Sequence, residues 1–162
     1  MQTLEAIRTK RSVRKFAART VPEETILEIL NAGRRAQSSK NDQPWTFILI
    51  QNKETLKAMG ACGTYAGHIA GADFAVVFVD HQNWSFDIGQ AAANMQLAAW
   101  DLGVSSCLAY FGFQDKLKEL LGIPAEANAE IGLSFGYSEE EPRPLRKSGR
   151  KPLEEILKRE HW

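Results

Sequence analysis

Residues 86–102, FDIGQAAANMQLAAWDL, place alanines and large apolar side chains all round a helical wheel. A helix with a single apolar stripe rests on a core, whereas one that is apolar all round has to be covered all round. The stretch therefore predicts a central, buried helix, closed by Gly103 in the left-handed position that favours glycine. The remainder of the chain must supply the layers that enclose it.

Those layers are visible on either side. WTFILI (Trp45–Ile50) and FAVVFV (residues 74–79) are runs of aromatic and β-branched residues that predict buried strands, and SSCLAYF and EIGLSFGY predict two more. A first helix is expected at Thr3–Thr9, with Leu4 and Ile7 on one side. A second should begin at Thr20-Val21-Pro22-Glu23-Glu24, where a capping hydroxyl, a first-turn proline and two acids mark a start. It carries Ile26, Leu27, Ile29, Leu30 and Ala36 and ends near the turn-rich QSSKNDQP. Short helices at 54–59 and 65–70, and one in QDKLKELLGIP, complete the regular elements. The tail, SEEEPRPLRKSGRKPLEEILKREHW, opens rich in proline and charge before a last short helix, and residues 138–162 read as an arm that wraps a partner subunit.

Composition serves mainly to exclude. A chain of 162 residues fits one domain. Lysine plus arginine equal aspartate plus glutamate, 20 against 20, so no whole-molecule field favours nucleic acid or an anionic membrane, and any anion site has to be local. No apolar run approaches the roughly 20 residues that span a bilayer. Cys62 and Cys107 fit neither a metal spacing nor a disulfide framework, and the start MQTLEAIRTK lacks the apolar segment of a secretory signal. A cytoplasmic protein with reduced thiols is expected.

A local anion site has one strong candidate. KRSVRKF, residues 10–16, gathers four cationic side chains and one hydroxyl. In extended chain, side chains two apart face the same way, so Lys10, Ser12 and Arg14 can meet one anion, with Arg11 adding a further charge-assisted bond. The plainer alternative is a solvated basic patch. QSSKNDQPW, residues 37–45, is either an ordinary polar loop or a set of hydroxyls and amides that reads the edge of a heterocycle. Arg150, in SGRKPLEE, is by itself a surface arginine. GACGTYAGHIAG lacks the G-x-G-x-x-G order and follows no strand, so it predicts small-residue helix packing and no dinucleotide loop. His68, His81 and His161 match no metal spacing, Cys107 reads as a small core residue, and Ser105 and Ser106 lack a nucleophile-elbow context. Chemistry is therefore expected from a bound cofactor.

The order of the pieces adds what each lacks alone. A helix and then R-S-x-R-x-F, S-S-x-N-x-Q-P-W entering a strand, D-I-G-x-A-A-x-N opening the small-residue helix, L-G-x-x-S-C, L-L-G-I-P, a G-Y after a strand, and R-x-P-L-E-E-I before a terminal tryptophan follow one another. Together they resemble the FMN-dependent nitroreductase family over essentially the whole chain. The resemblance implies an α+β fold, a mostly antiparallel sheet flanked by helices, in an intertwined homodimer with one FMN in each of two interface clefts. It implies that Lys10, Arg11, Ser12 and Arg14 hold the phosphate and ribityl chain, with Arg14 nearest the pyrimidine end of the ring and Arg150 joining the phosphate site. It implies that Gln37, Ser38, Ser39 and Asn41 of the second subunit cover the ring, and that a backbone N–H of Ala109 or Tyr110 lies by the flavin N5. The implied activity is hydride transfer from NADH or NADPH through FMN to a nitroaromatic, a quinone or a similar acceptor by ping-pong kinetics. Related proteins of this fold reduce or modify flavin itself, or bind it without catalysis.

Three departures from the family pattern shape these expectations. Lys10 stands where arginine is usual, a point charge in place of a fork, and Gln37 replaces a common proline. DHQNWSF, residues 80–86, leaves almost no room for the excursion that commonly roofs the site. An open cleft is expected, with Tyr65, Trp84, Tyr110 and Phe111 as stacking surfaces.

Overall fold

The FAVVFV run forms most of β2 (Phe74–Asp80), which is buried at every position. Strand side chains alternate between two faces, so such a strand needs a cover on each. The computed structural model, which describes residues 2–140 and 149–162, supplies both. β1 (Trp45–Ile50), β2, β3 (Ser105–Tyr110) and β4 (Asn128–Gly136) form an antiparallel sheet in the order β1-β2-β4-β3. Phe74, Val76 and Phe78 join Leu133 and Phe135 on one face, under α2 (Glu23–Arg34) and α4 (Ser85–Asp101). Ala75, Val77 and Val79 face the other way, under α3 (Lys53–Met59), a 3-10 turn at Gly67–Gly71 and α5 (Gln114–Leu121). α1 (Thr3–Thr9) and α6 (Leu153–Ile156) lie at the two ends of the chain. The α+β class and the antiparallel sheet are those expected.

Several expectations are revised. β1 is an edge strand with only Ile50 buried, because among the described residues one side of it has no neighbouring strand. Thr20 does not cap α2: Pro22 occupies the cap position, its carbonyl taking the Ile26 N–H at 3.1 Å, and the chain before it is fixed by Val21 N–H donating to Asp73 Oδ2 at 2.8 Å. The 65–70 helix is replaced by the 3-10 turn, whose glycines tighten it. Small-residue packing holds in part, with a Cβ on Gly60 meeting Ala70 at 3.4 Å, whereas Gly67 and Gly71 border open space. Phe111 is fully buried and is no stacking surface.

The central helix shows the largest revision. Ile88, Ala91, Ala92, Met95 and Ala99 of α4 are buried, and α2 approaches so closely that a Cβ on Gly33 would fall 2.3 Å from Met95 Cε. Its opposite face is open, with Phe86 75% exposed and Ala93 exposed beside it. One protomer encloses only half of a helix that is apolar all round. Of the 138–162 arm, residues 141–148 lie outside the described residues; Leu153, Ile156 and Trp162, beyond them, are exposed.

Candidate functional site

The basic segment is held extended by its backbone. Val13 N–H donates to Ser106 O at 3.0 Å and Ser12 bridges Ser106 in parallel register, so the segment lies along the outer edge of β3. Phe16 bridges Ser138, Ala17 N–H donates to Tyr137 O at 2.8 Å, and the Phe16 ring packs on Gly136, where a Cβ would approach it to 3.0 Å. From the other side, Trp100 Nε1–H donates to Thr9 Oγ1 at 2.9 Å and Gln96 Nε2–H to Ser106 Oγ at 3.4 Å. The C-terminal half of α4 thus positions the segment. Extended backbone puts Lys10, Ser12 and Arg14 on one side.

Electrostatics locate the charges relative to one another. Burial pushes the Lys10 ammonium below the ordinary lysine value, with Cys107 opposing the shift and Arg150 adding to it. Burial pushes the Cys107 thiol up, and Arg14 and Lys10 pull it part of the way back. Burial and then Arg14 lower His68, against the Leu108 backbone, which favours the charged ring. Arg150 thus acts on Lys10, while Lys10 and Arg14 both act on Cys107 of β3 and Arg14 acts on His68. A bound anion would remove the repulsion between Lys10 and Arg150. Arg11 is turned differently: its Nη1 donates to the carbonyls of Arg8, Thr9 and Lys10 at 3.0, 2.5 and 2.9 Å, closing the last turn of α1. Its Nε is buried without a partner.

A cleft of about 620 Å³ opens along the same edge, lined by Arg14, Tyr65, Gly67, His68, Leu108 and Tyr110. Ser106 directs its carbonyl outward to Val13, and Phe111 N–H donates inward to Glu130 O at 2.7 Å. Backbone direction alternates along a strand, so the Tyr110 N–H faces the cleft edge and the Ala109 N–H faces β4. Tyr110 also presents its ring, 55% exposed, while Ala109 is buried. Gly63 seats the end of β3, since a Cβ there would come 2.3 Å from Tyr110 O. The connection from β2 to α4 is only residues 81–84, and Tyr65 is exposed at the cleft; Trp84, the N-cap of α4, is exposed as well but does not line the cleft expected of it.

The polar loop sits elsewhere. Gln37 Nε2–H donates to Gln90 Oε1 at 2.8 Å and Ser39 N–H to Asp87 Oδ2 at 3.1 Å, docking the loop on the N-terminal end of α4. Ser38 Oγ accepts from Gln43 N–H at 3.0 Å, and Asn41 O accepts from Gln43 Nε2–H at 3.2 Å. Lys40, Asn41 and Gln43 all have positive φ, of 51°, 60° and 49°. Such strain in non-glycine residues is typical of a loop shaped for a ligand. Asp87 and Trp100 stand thirteen residues apart in α4, roughly 20 Å at about 1.5 Å per residue. A single protomer therefore holds the two sets of predicted residues at opposite ends of one helix.

The resemblance implies residues near the pyrimidine edge in the 64–68 segment but singles out none, and His68 emerges only in the fold, because its partner Ser134 lies 66 positions away and no local spacing betrays it. Its ring Nδ1 is 2.8 Å from Ser134 Oγ. His81 Nε2 lies 2.8 Å from Thr46 Oγ1, away from the cleft. Among the described residues, no group of three or more His, Cys, Asp or Glu could hold a metal ion, and no helix is long and apolar enough to cross a membrane.

A sheet covered on both faces, with a cationic segment and an aromatic cleft along one edge, defines the class of protein to which comparison then gives a name. Residues 7–66 and 61–137 match the profile of the Nitroreductase family. A candidate NADH dehydrogenase/NAD(P)H nitroreductase of Archaeoglobus fulgidus is 33% identical over 152 residues, covering 86% of this chain and 87% of that one. The solved FMN-dependent nitroreductase of Clostridium difficile R20291 superposes with a TM-score of 0.90 at 26% identity, over 98% of this chain and 99% of that one. A candidate nitroreductase of Desulfovibrio desulfuricans, solved in complex with FMN, gives 0.84 at 26% identity, over 100% and 98%. The chain belongs to the nitroreductase family.

Proposed function

We propose that this protein is an FMN-dependent NAD(P)H oxidoreductase working as a homodimer. The observation that carries the reading is the extended basic segment along the edge of β3, which brings Arg14 into the lining of a cleft faced by Tyr65 and Tyr110, with Arg150 acting on Lys10. The donor set fits the cofactor: three cations and the Ser12 hydroxyl suit a phosphate, the buried Nε of Arg11 is a donor in want of an acceptor, and the cleft of about 620 Å³ carries two tyrosines in its lining. Held there by these residues, FMN would supply two-electron hydride chemistry between NADH or NADPH and an acceptor. Arg14 and the Tyr110 N–H stabilise negative charge at the ring, the preorganised electrostatic form of catalysis. Tyr65 and Tyr110 leave one open aromatic face, which nicotinamide and acceptor must use in turn, giving ping-pong kinetics. That face suits planar acceptors such as nitroaromatics and quinones.

Two features support the dimer. The open face of α4 exposes Phe86 and Ala93, and Leu4 and Ile7 of α1 are 64% and 58% exposed, an apolar surface of the kind that marks an interface. A second copy packed there would also bring its 37–41 loop toward the cleft, which one protomer cannot do. Residues 138–162 would then act as the arm across the partner.

The test is the visible spectrum of the purified protein under anaerobic conditions, before and after NADH or NADPH. A flavin band bleached by a nicotinamide supports the reading. A colourless protein that takes up no added FMN rejects it, and a bound flavin that neither nicotinamide reduces reassigns the protein as a flavin binder.

A further inference from the structure

The proposal here rests on the flavin reading above and concerns His68. The ring enters the cleft wall from the Gly67–Gly71 turn, with Nδ1 2.8 Å from Ser134 Oγ on β4. The Ser134 hydroxyl donates to Cys107 O at 3.3 Å. A hydroxyl has one proton to give, so Oγ accepts from Nδ1–H. In that arrangement the neutral ring carries its lone pair on Nε2, and the Leu108 backbone carbonyl favours a second ring N–H.

The groups around the ring divide by sign. Arg14, from the basic segment, and burial oppose a charge on it. The Leu108 carbonyl, from β3, favours one. Ser134 is indifferent, because it accepts from Nδ1–H in either state, and Tyr65 and Tyr110 line the same cleft as neutral rings. Arg14 is the opponent that can be switched: negative charge placed beside it cancels its repulsion of the imidazole and adds an attraction.

We propose that His68 is a proton-accepting residue of the cleft, neutral beside an oxidised flavin and protonated on Nε2 once two-electron reduction has left negative charge on the ring beside Arg14. The balance is complete with the reactants already named. Hydride from NADH or NADPH carries two electrons and one hydrogen nucleus to the ring and leaves one net negative charge. His68 draws the second proton from solvent. When an acceptor takes the hydride the charge disappears, and His68 releases its proton to the acceptor or to solvent. Reduction of a quinone to a hydroquinone, or of a nitro group to a nitroso group and water, consumes one hydride and one proton. His68 thus keeps the second of these within the site.

The direct test is histidine-selective NMR of the FMN-loaded protein. The chain has three histidines, so His81 and His161 serve as internal controls. At neutral pH, anaerobic reduction should move the His68 nitrogen shifts from the neutral to the doubly protonated pattern and leave the other two unchanged. The second measurement is the pH dependence of the two-electron reduction equilibrium in wild type and in His68→Gln, which keeps an N–H for Ser134 but takes no proton. Between about pH 7 and about pH 8, above the ordinary histidine value of roughly 6.5, the wild-type constant should fall about 100-fold per pH unit (about 59 mV). In the variant it should fall about 10-fold (about 30 mV). A His68 that stays neutral on reduction, or a variant that keeps the steeper slope, overturns the proposal and leaves the flavin reading standing. A protein that binds no FMN overturns both, and a variant that does not fold leaves the NMR result on wild type to decide.

Discussion

Lys10 occupies a place from which the unliganded fold gains nothing. Burial and Arg150 both oppose its charge, and a phosphate beside it would reverse the account. Lys10→Met should therefore leave the melting temperature of the FMN-free protein unchanged or raised, and should weaken FMN binding by about 10-fold or more, the worth of one charge-assisted hydrogen bond of about 1.5–3 kcal/mol. Thermal melts with and without FMN check both halves, and a variant that melts lower without FMN but binds it normally would assign Lys10 a structural role. His68 permits a similar separation through pH. Its folded value lies below the ordinary 6.5, so as pH falls through the unfolded value the unfolded chain takes up a proton first and stability is lost. The contribution is intact above about 6.5. Urea denaturation on either side of that value should show a smaller acid loss in His68→Gln than in wild type.

At the scale of elements, the cleft depends on how the end of β3 is seated. Gly63 permits the turn after α3 to close on the Tyr110 carbonyl, and Phe113 N–H donates back to Cys62 O at 3.0 Å. Gly63→Ala puts a methyl group against backbone, so the strand end must move, at about 1–3 kcal/mol for overpacking. Lower stability together with a lower flavin affinity is the expected outcome of denaturation and FMN titration, because the displaced group carries the Tyr110 N–H. Elements with strong local signals were legible from sequence: α1 and β1 fall at their expected residues, and Gly103 and Gly122 end their helices with φ of 76° and 67°. What sequence left open is set by tertiary neighbours. β1 reads as buried because WTFILI is apolar, yet its place at the sheet edge exposes Thr46. Phe111 reads as a ligand surface because it adjoins Tyr110, yet strand alternation turns it onto Gly132, where a Cβ would meet its ring at 2.7 Å. The basic segment was legible by charge. Its link to Arg150, 136 positions after Arg14, has no local signal: family order implies it, and in the fold Arg150 acts on Lys10.

In the whole molecule, α4 is the element that one protomer leaves half covered. An all-apolar helix enclosed on one side, with the phosphate-type residues near its C-terminal end and the polar loop near its N-terminal end, makes sense if each cleft is completed by a second copy. Shared sites have a consequence that self-contained sites lack. Let one chain carry Arg14→Ala with Arg150→Ala, and another carry Ser39→Ala with Asn41→Ala. Each homodimer should hold FMN weakly at both clefts. A mixed dimer joins the intact cations of the second chain to the intact loop of the first, restoring one complete site, while its other cleft carries both lesions. Mixing the two variants under conditions that exchange subunits should therefore recover FMN occupancy, read by flavin absorbance on the tagged and separated mixed dimer. Self-contained sites predict no recovery, since every cleft would then remain defective. Phe86→Glu, placed on the open face of α4, should block the same recovery by keeping the chains monomeric, with the mass in solution measured by light scattering; a variant that stays dimeric and still recovers FMN would show that the open face is not the contact between the two copies.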